Sequence, residues 1–459
     1  MKTNAILNTD SYKCSQWVQY PDGTEYVYSY IESRGGAWDK VVYFGLQSFL
    51  REYLSNPITQ ADIDEAELII TAHGEPFNRA GWQYIVDNHN GYLPLEVRAV
   101  DEGTILPVSN VLVTVVNTDP NCFWLTSYIE TALLRAVWYG TTVATNSFES
   151  KKLIYQAMLE TSDSTDGLAF KLHDFGARGV SSEESAALGG AAHLVNFMGT
   201  DTISALLAAK RYYDADMAGF SIPAMEHSTV TSWGREGEVS SYRNMLNQFA
   251  KPGAILAAVS DSYDIYNACK LWGTELKDQI VQSGATLVVR PDSGEPSVVV
   301  VKCLKILDKY FGHTVNSKGY RVLNNVRVIQ GDGIDHASIR SILFSMDLAG
   351  YAVDNIAFGQ GGALLQQINR DTLKFAMKCS AIRVNGEWRD VYKDPITDKG
   401  KRSKKGLLGL VTVDGEYKTV SQAEAGDNDL LKLRFRNGVL LNETTFAEVR
   451  ARANKPFTA

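Results

Sequence analysis

The feature that most constrains how this chain can fold is one pattern written several times along it. At Thr286 to Pro296, TLVVRPDSGEP, a short β-branched apolar run stops at Arg290, Pro291, Asp292, Ser293 and Gly294. It then passes through Pro296 into the helical spacing of Val298 to Tyr310. A buried strand thereby delivers a cation, a carboxylate and a flexible turn to one point. From about Lys171 onward the spacing predicts further strands at Lys171 to Phe175, Leu194 to Phe197, Gly219 to Ile222, Ile255 to Val259, Leu287 to Val289, Val326 to Ile329 and Asn355 to Phe358. Helical patterns follow most of them, at Glu183 to Ala191, Thr202 to Tyr212, Tyr263 to Leu271, Val298 to Tyr310 and His336 to Met346. Such alternation implies a parallel sheet with right-handed crossovers. This many units points to a closed or nearly closed β/α barrel, with a doubly wound open sheet as the structural alternative.

The polar residues cluster where each predicted strand ends. They are Asp174 and Arg178, Gly199-Thr200-Asp201, Glu226-His227, Ser260-Asp261, Arg290 and Asp292, Gly331-Asp332-Gly333, and Gly359-Gln360-Gly361-Gly362. A single Asp or Ser there is an ordinary helix cap. Seven such endings in succession instead mark the face on which barrel enzymes carry their active sites.

The flanking segments have no single rhythm. Val27 to Ile31, Leu95 to Val100 and Val111 to Val116 read as strands, while Phe44 to Leu54 and Trp124 to Val137 have helical spacing. Phe375 to Val384, Trp388 to Tyr392 and Leu431 to Phe435 read as strands near the C-terminus, whose tail is expected to return to the N-terminal region. A formal net charge of -8 argues against a general nucleic-acid or anionic-membrane binder. The five cysteines form no CxxC pair and read as reduced thiols, hence a cytoplasmic protein. No signal peptide and no membrane span is expected.

Each constellation has a structural and a chemical reading. Glycines at Gly359 to Gly362 and Gly331 to Gly333 suit a plain turn, or a cradle for a ribose phosphate with Asp332 on the ribose hydroxyls. Arg290 and Asp292 can brace their own loop, or face pyrophosphate and hydrated Mg2+. His227 can cap a helix, or serve as base, metal ligand or phosphate acceptor. The basic run of Lys378, Lys393 and the cluster Lys401, Arg402, Lys404 and Lys405 is a solvated loop or a counterion for a triphosphate.

The segments DSYK, KLHDFGARGVSS, NFMGTDT, MEHST, VSDSYDIYNA, VVRPDSG, VIQGDG, IAFGQGG and KDP with KRSKKG run in order over nearly the whole chain, which resembles the nicotinamide phosphoribosyltransferase family. The resemblance implies an irregular TIM-like β/α barrel at 166–384 and an additional α+β domain built from 1–165 and 385–459. It also implies a homodimer with shared active sites. The implied reaction converts nicotinamide and phosphoribosyl pyrophosphate to nicotinamide mononucleotide and pyrophosphate, with Mg2+ and with ATP as co-substrate. Phe175 and the partner subunit's Tyr12 would sandwich the pyridine ring, with Asp10 nearby. Arg178 would lie beside the carboxamide, and Asp201 would accept from its NH2. His227 would take a phosphoryl group from ATP, while Asp261 and Asp292 would sit near ribose, metal and phosphate, with Arg290 facing ribose or pyrophosphate. Asp332 would hold ribose hydroxyls, and Gly331, Gly361 and Gly362 the 5'-phosphate. Arg370 and Lys378 would bind phosphate, and Lys393 and Lys401 the ATP phosphates. No dedicated protein ligand set for the metal is implied, since substrate phosphates would hold most of it. Two departures stand out: the loop after Arg34 is shorter than in the animal enzymes, and Ala376 replaces the family's serine. The competing readings are a nicotinate phosphoribosyltransferase and a non-catalytic nucleotide-metabolite binding or signalling protein.

Overall fold

A computed structural model describes residues 4–397 and 402–457. The chain forms two compact units, one from the N-terminal segment to Thr145 with Lys210–Ala215 and Asn369–Pro456, the other from Asn146–Ala209 and Asp216–Ile368 with Phe457.

In the second unit six parallel strands curl into a sheet with spatial order Gly199–Thr200, Leu172–Asp174, Ile356–Gln360, Val326–Gln330, Thr286–Arg290 and Ile255–Val259. The Phe220 to Ala224 segment joins the two edges. Phe220 bridges to Gly199, and Ala224 bridges to Ala257, both in the parallel sense. The result is a ring of seven members in chain order, as expected for a barrel with irregular closure. Alternation along the strands sends Ala257, Val288 and Ile329 inward, packed with Phe175, Ile222 and Ala357. The opposite side of the same strands, including Leu256, Leu287, Val328 and Phe358, packs into a larger core with Val300, Leu304, Ile339 and Ile342 of the surrounding helices. Side-chain caps start those helices at fixed places. Asp264 accepts from the Tyr266 and Asn267 N–H groups, and Asp335 forms a capping box with Ser338.

Two predicted strands of this unit are corrected. Leu194 ends the helix Glu183–Leu194, and the strand is the two-residue Gly199–Thr200. The alanines from Ala186 to Ala192 favour the helix that reaches Leu194, and the apolar residues Val195 and Phe197 that imitate a strand lie in the turn that follows it. Gly219 to Ile222 contributes a single bridge, because Pro223 cannot donate to a continuous ladder.

The first unit holds a seven-stranded antiparallel sheet, ordered Glu387–Asp390, Phe375–Val384, Thr24–Ser33, Val111–Asn117, Leu95–Ala99, Lys432–Arg436 and Val439–Leu440. Phe375–Val384 pairs with Thr24–Ser33 along nearly its whole length. The domain boundaries expected at 165 and 384 are therefore corrected to near 145 and 369. Ladder hydrogen bonding decides the membership of Phe375–Val384, whereas its position in the sequence follows directly on the last barrel strand. Trp82 packs edge-on against Trp124 at 4.8 Å and Tyr128 at 5.0 Å in this unit's core.

Candidate active site

The C-terminal strand ends of the barrel gather most of the candidate residues. Phe175 follows Leu172–Asp174, and its N–H donates to the Gln360 carbonyl at 3.0 Å. Its ring lies across Gly359, where an added Cβ would stand 2.0 Å from a ring carbon, and the Arg290 guanidinium sits 5.3 Å from the ring centroid. Gly359 is thus a place where only hydrogen leaves room for an aromatic platform. Arg290 also donates to Oδ1 of Asp292, from Nε at 3.2 Å and Nη2 at 2.8 Å.

Asp201 is exposed, accepts from the Ser221 hydroxyl at 2.6 Å, and donates its N–H to the Asp174 carbonyl at 3.0 Å. Asp174 in turn accepts from the Gly176 N–H at 2.7 Å, so one buried residue braces both the Phe175 to Arg178 turn and Asp201. Burial pushes the Asp174 carboxyl up to about 6, and the charge of Asp201 acts in the same direction. Arg178 is exposed on that turn.

His227 opens the short helix His227–Thr231, and its Nε2 lies 3.0 Å from Oδ1 of Asp261. The second Asp261 oxygen accepts from the Ser293 hydroxyl at 2.6 Å. Three neighbouring strand ends are therefore joined by side chains. Gly361 and Gly362 lead into the turn Gly362–Leu365, and an added Cβ on Gly179 would meet Gly362 Cα at 3.7 Å. Asp332 is exposed, and its carbonyl accepts from the buried Gln330 amide at 3.0 Å. Beneath these loops Asn146 donates to the Ala363 carbonyl at 2.9 Å, while its Oδ1 lies 2.7 Å from His336 Nε2. Burial pushes the His336 imidazole below its ordinary pKa.

The remaining candidates belong to the antiparallel unit. Tyr12 is 55% exposed, and Asp10 accepts from the Thr131 hydroxyl at 2.6 Å. Lys378 is half-buried. Burial depresses its ammonium pKa, and the like charges of Arg34, Lys393 and Lys13 add to the effect. These cations therefore share one neighbourhood, with Glu130 and Glu32 among them through Lys13 and Lys404. Arg370 pairs with Asp371 at 3.4 Å. Ala376 lies opposite Glu32 in the sheet. Lys401 lies outside the described residues. Arg402, Lys404 and Lys405 face Asp394, Glu32 and Asp390, so that part of the basic run is balanced by acids of its own unit.

A separate group, His89, Asp119 and Cys122, has ligand atoms within 4.8 Å of one another. Asp119 is already engaged by His89, Tyr84 and Asn121, and burial pushes the Cys122 thiol up to about 12. It reads as a hydrogen-bonded cluster. Among the described residues the barrel's strand ends form no such three-ligand group.

Sequence reasoning missed Ser221, Ser293, Asn146 and His336. Ser293 stood inside the motif TLVVRPDSGEP, and only its reach to a residue 32 positions away marks it. Asn146 lies within the helix Glu130–Thr161, where nothing in the spacing distinguishes it.

The chain matches the nicotinate phosphoribosyltransferase (NAPRTase) family over residues 170–438 and the nicotinamide phosphoribosyltransferase N-terminal domain over residues 4–97. It is 59% identical over 460 residues to a nicotinamide phosphoribosyltransferase of Xanthomonas campestris, covering 98% of both chains. A nicotinamide phosphoribosyltransferase of Acinetobacter baylyi is 33% identical over 493 residues, covering 98% of this chain and 97% of its own. In structure the chain resembles a nicotinate-nucleotide pyrophosphorylase from Pyrococcus furiosus, with a TM-score of 0.64 at 17% identity over 99% of this chain and 96% of that one. That likeness concerns the fold alone.

Proposed function

Because this chain belongs to the nicotinamide phosphoribosyltransferase family, we propose that it joins nicotinamide to phosphoribosyl pyrophosphate, giving nicotinamide mononucleotide and pyrophosphate in NAD salvage. The observation that carries this reading is one barrel mouth holding an aromatic platform, a carboxylate fixed by Ser221, and the Arg290–Asp292 pair.

Breaking the anomeric C–O bond places oxocarbenium character on the ribose and negative charge on the departing pyrophosphate. Carboxylates and cations held in advance stabilise both ends. Phe175 offers a stacking face to the pyridine ring. Asp201, with one oxygen taken by Ser221, has the other to accept from a carboxamide NH2. A second carboxylate ~4 Å away would cost roughly 1 to 4 kcal/mol, which favours nicotinamide over nicotinate. Arg178 lies beside the ring, Asp332 takes the ribose hydroxyls, and Gly331, Gly361 and Gly362 admit the 5'-phosphate.

His227 is the phosphoryl acceptor in this reading. With Nε2 held by Asp261, Nδ1 attacks the γ-phosphorus of ATP, the bond to the β-bridging oxygen breaks, and ADP leaves with the electron pair. Mg2+ is a hard cation suited to oxygen donors. Asp261 and Asp292 would offer it carboxylate oxygens, while substrate phosphates would hold most of it. It would supply charge neutralisation on the phosphates. Lys393 and Lys401 would serve ATP, and Asp10, Arg370 and Lys378 the substrates.

A homodimer in which the partner subunit's Tyr12 covers the ring is supported by the exposure of Tyr12. Ile203 and Leu207, one helical turn apart, are also 72% and 62% exposed. Cytoplasmic residence agrees with five free cysteines, and among the described residues no helix is long and apolar enough to cross a membrane.

The test mixes purified protein with phosphoribosyl pyrophosphate, Mg2+ and either nicotinamide or nicotinate, with and without ATP. Mononucleotide from nicotinamide in preference is expected. No product under any condition overturns the enzyme reading, and preference for nicotinate overturns the substrate.

A further inference from the structure

We propose that Ser293 is a positioning residue for His227: its hydroxyl fixes the Asp261 carboxylate that holds the histidine, and so ties the phosphoryl acceptor to the turn bearing Arg290 and Asp292. The inference deepens the reading of His227 as phosphoryl acceptor and rests on it.

The Asp261 carboxylate has one oxygen for each partner, 3.0 Å to His227 Nε2 and 2.6 Å to Ser293 Oγ. With a single partner the carboxylate can turn about its Cβ–Cγ bond, whose preferences are broad. A second partner on the other oxygen holds its plane and hence the tautomer and direction of the imidazole. Burial follows the same division of labour. The Asp261 side chain is 5% exposed and the His227 side chain 46%, so the brace is covered while the ring faces incoming ligand.

Ser293 is not needed to brace its own turn, because the Arg290–Asp292 pair spans it locally and Gly294 supplies the left-handed residue with φ of 87°. Its hydrogen bond leaves the turn and reaches the end of the adjacent strand, Ile255–Val259. During phosphoryl transfer Nδ1 forms the N–P bond as the P–O bond to ADP breaks, while the Nε2 proton stays in the hydrogen bond to Asp261. Ser293 touches no reacting atom. It acts by keeping Nδ1 aimed, in the manner of the orienting third group of a triad.

The experiment measures phosphoryl transfer from γ-labelled ATP to the full-length protein before nicotinamide is added, and separately the KM for nicotinamide. Ser293→Ala is expected to slow labelling about ten- to a hundredfold, the scale of a hydrogen bond to a charged group. Its KM for nicotinamide should stay within about twofold, a split that general loosening of the barrel mouth would not produce. Ser293→Thr, which keeps the hydroxyl, should recover most of the rate, and Ser293→Gly provides a second hydroxyl-free variant should the first fold poorly. Wild-type labelling rates in both hydroxyl-free variants would overturn the proposal while leaving His227 as acceptor. Persisting label in His227→Ala would overturn the acceptor reading and this inference with it.

Discussion

The two units of this chain assemble their charged groups in opposite ways. In the barrel unit, Asp201, His227, Asp261, Arg290 and Asp332 each follow closely on their own strand or bridge, and closure of the ring brings them together. In the antiparallel unit, Lys13, Arg34, Lys378, Lys393 and Lys404 come from opposite ends of the chain and meet because Thr24–Ser33 pairs with Phe375–Val384. The first arrangement repeats a local instruction. The second depends on one long-range register, and burial in that arrangement lowers the Lys378 pKa, with the neighbouring cations adding to the effect.

The sharpest way to break this contrast is to remove a buried brace from the non-local unit. Glu102 accepts from the Gly45 N–H at 3.0 Å, the Gln47 N–H at 2.7 Å and the Tyr213 hydroxyl at 2.8 Å. Glu102→Ala would orphan all three donors and is expected to cost about 3 to 5 kcal/mol in chemical denaturation. A loss below about 1 kcal/mol would mean that this unit does not depend on such distant ties.

The barrel unit should instead lose function locally. Gly359→Ala drives a methyl group into the Phe175 ring, and KM for nicotinamide is expected to rise ten- to a hundredfold, about 1.4 to 2.7 kcal/mol. A KM within twofold of wild type would detach Phe175 from ring binding.

His193 offers a pH-dependent comparison. It is fully buried between the Ser147 hydroxyl at 2.9 Å and the Gly199 carbonyl at 3.2 Å, and burial pushes it down to about 3. The unfolded chain binds a proton near pH 6.5 and the folded chain does not, so stability falls as pH drops from about 6.5 toward 3. The slope approaches 1.4 kcal/mol per pH unit for this one group. His193→Gln should flatten that limb in urea titrations at pH 4.5 and 6.5, and an unchanged slope would assign acid sensitivity elsewhere.

The smallest effect is expected at Asp201. Asp201→Asn should erode the preference for nicotinamide over nicotinate about fivefold or more, close to 1 kcal/mol, in the ratio of kcat/KM values. An unaltered ratio would leave Ser221 and Asp201 without a part in selectivity.

Most barrel strands were legible because β-branched runs, turn residues and caps lie within a few residues of one another. Leu194 to Phe197 misled because helix propagation and strand propensity compete over so short an apolar run. The site residues with strand-end positions were legible for the same local reason. Asn146 and His336 were not, since a polar residue within a helix takes its meaning only from what packs against it.

By itself the sequence determined the repeated strand, turn and helix, and therefore which chemical groups stand at the strand ends, because periodicity and turn chemistry act over short spans of chain. Tertiary structure alone decided that Phe220 and Ala224 bridge the edge strands, that Phe375–Val384 leaves the barrel for the other sheet, and that Ser293 reaches Asp261. These contacts join residues far apart in the chain. Their register is selected by the packing of whole elements and by the cost of closing the intervening loops, neither of which is written in any local stretch.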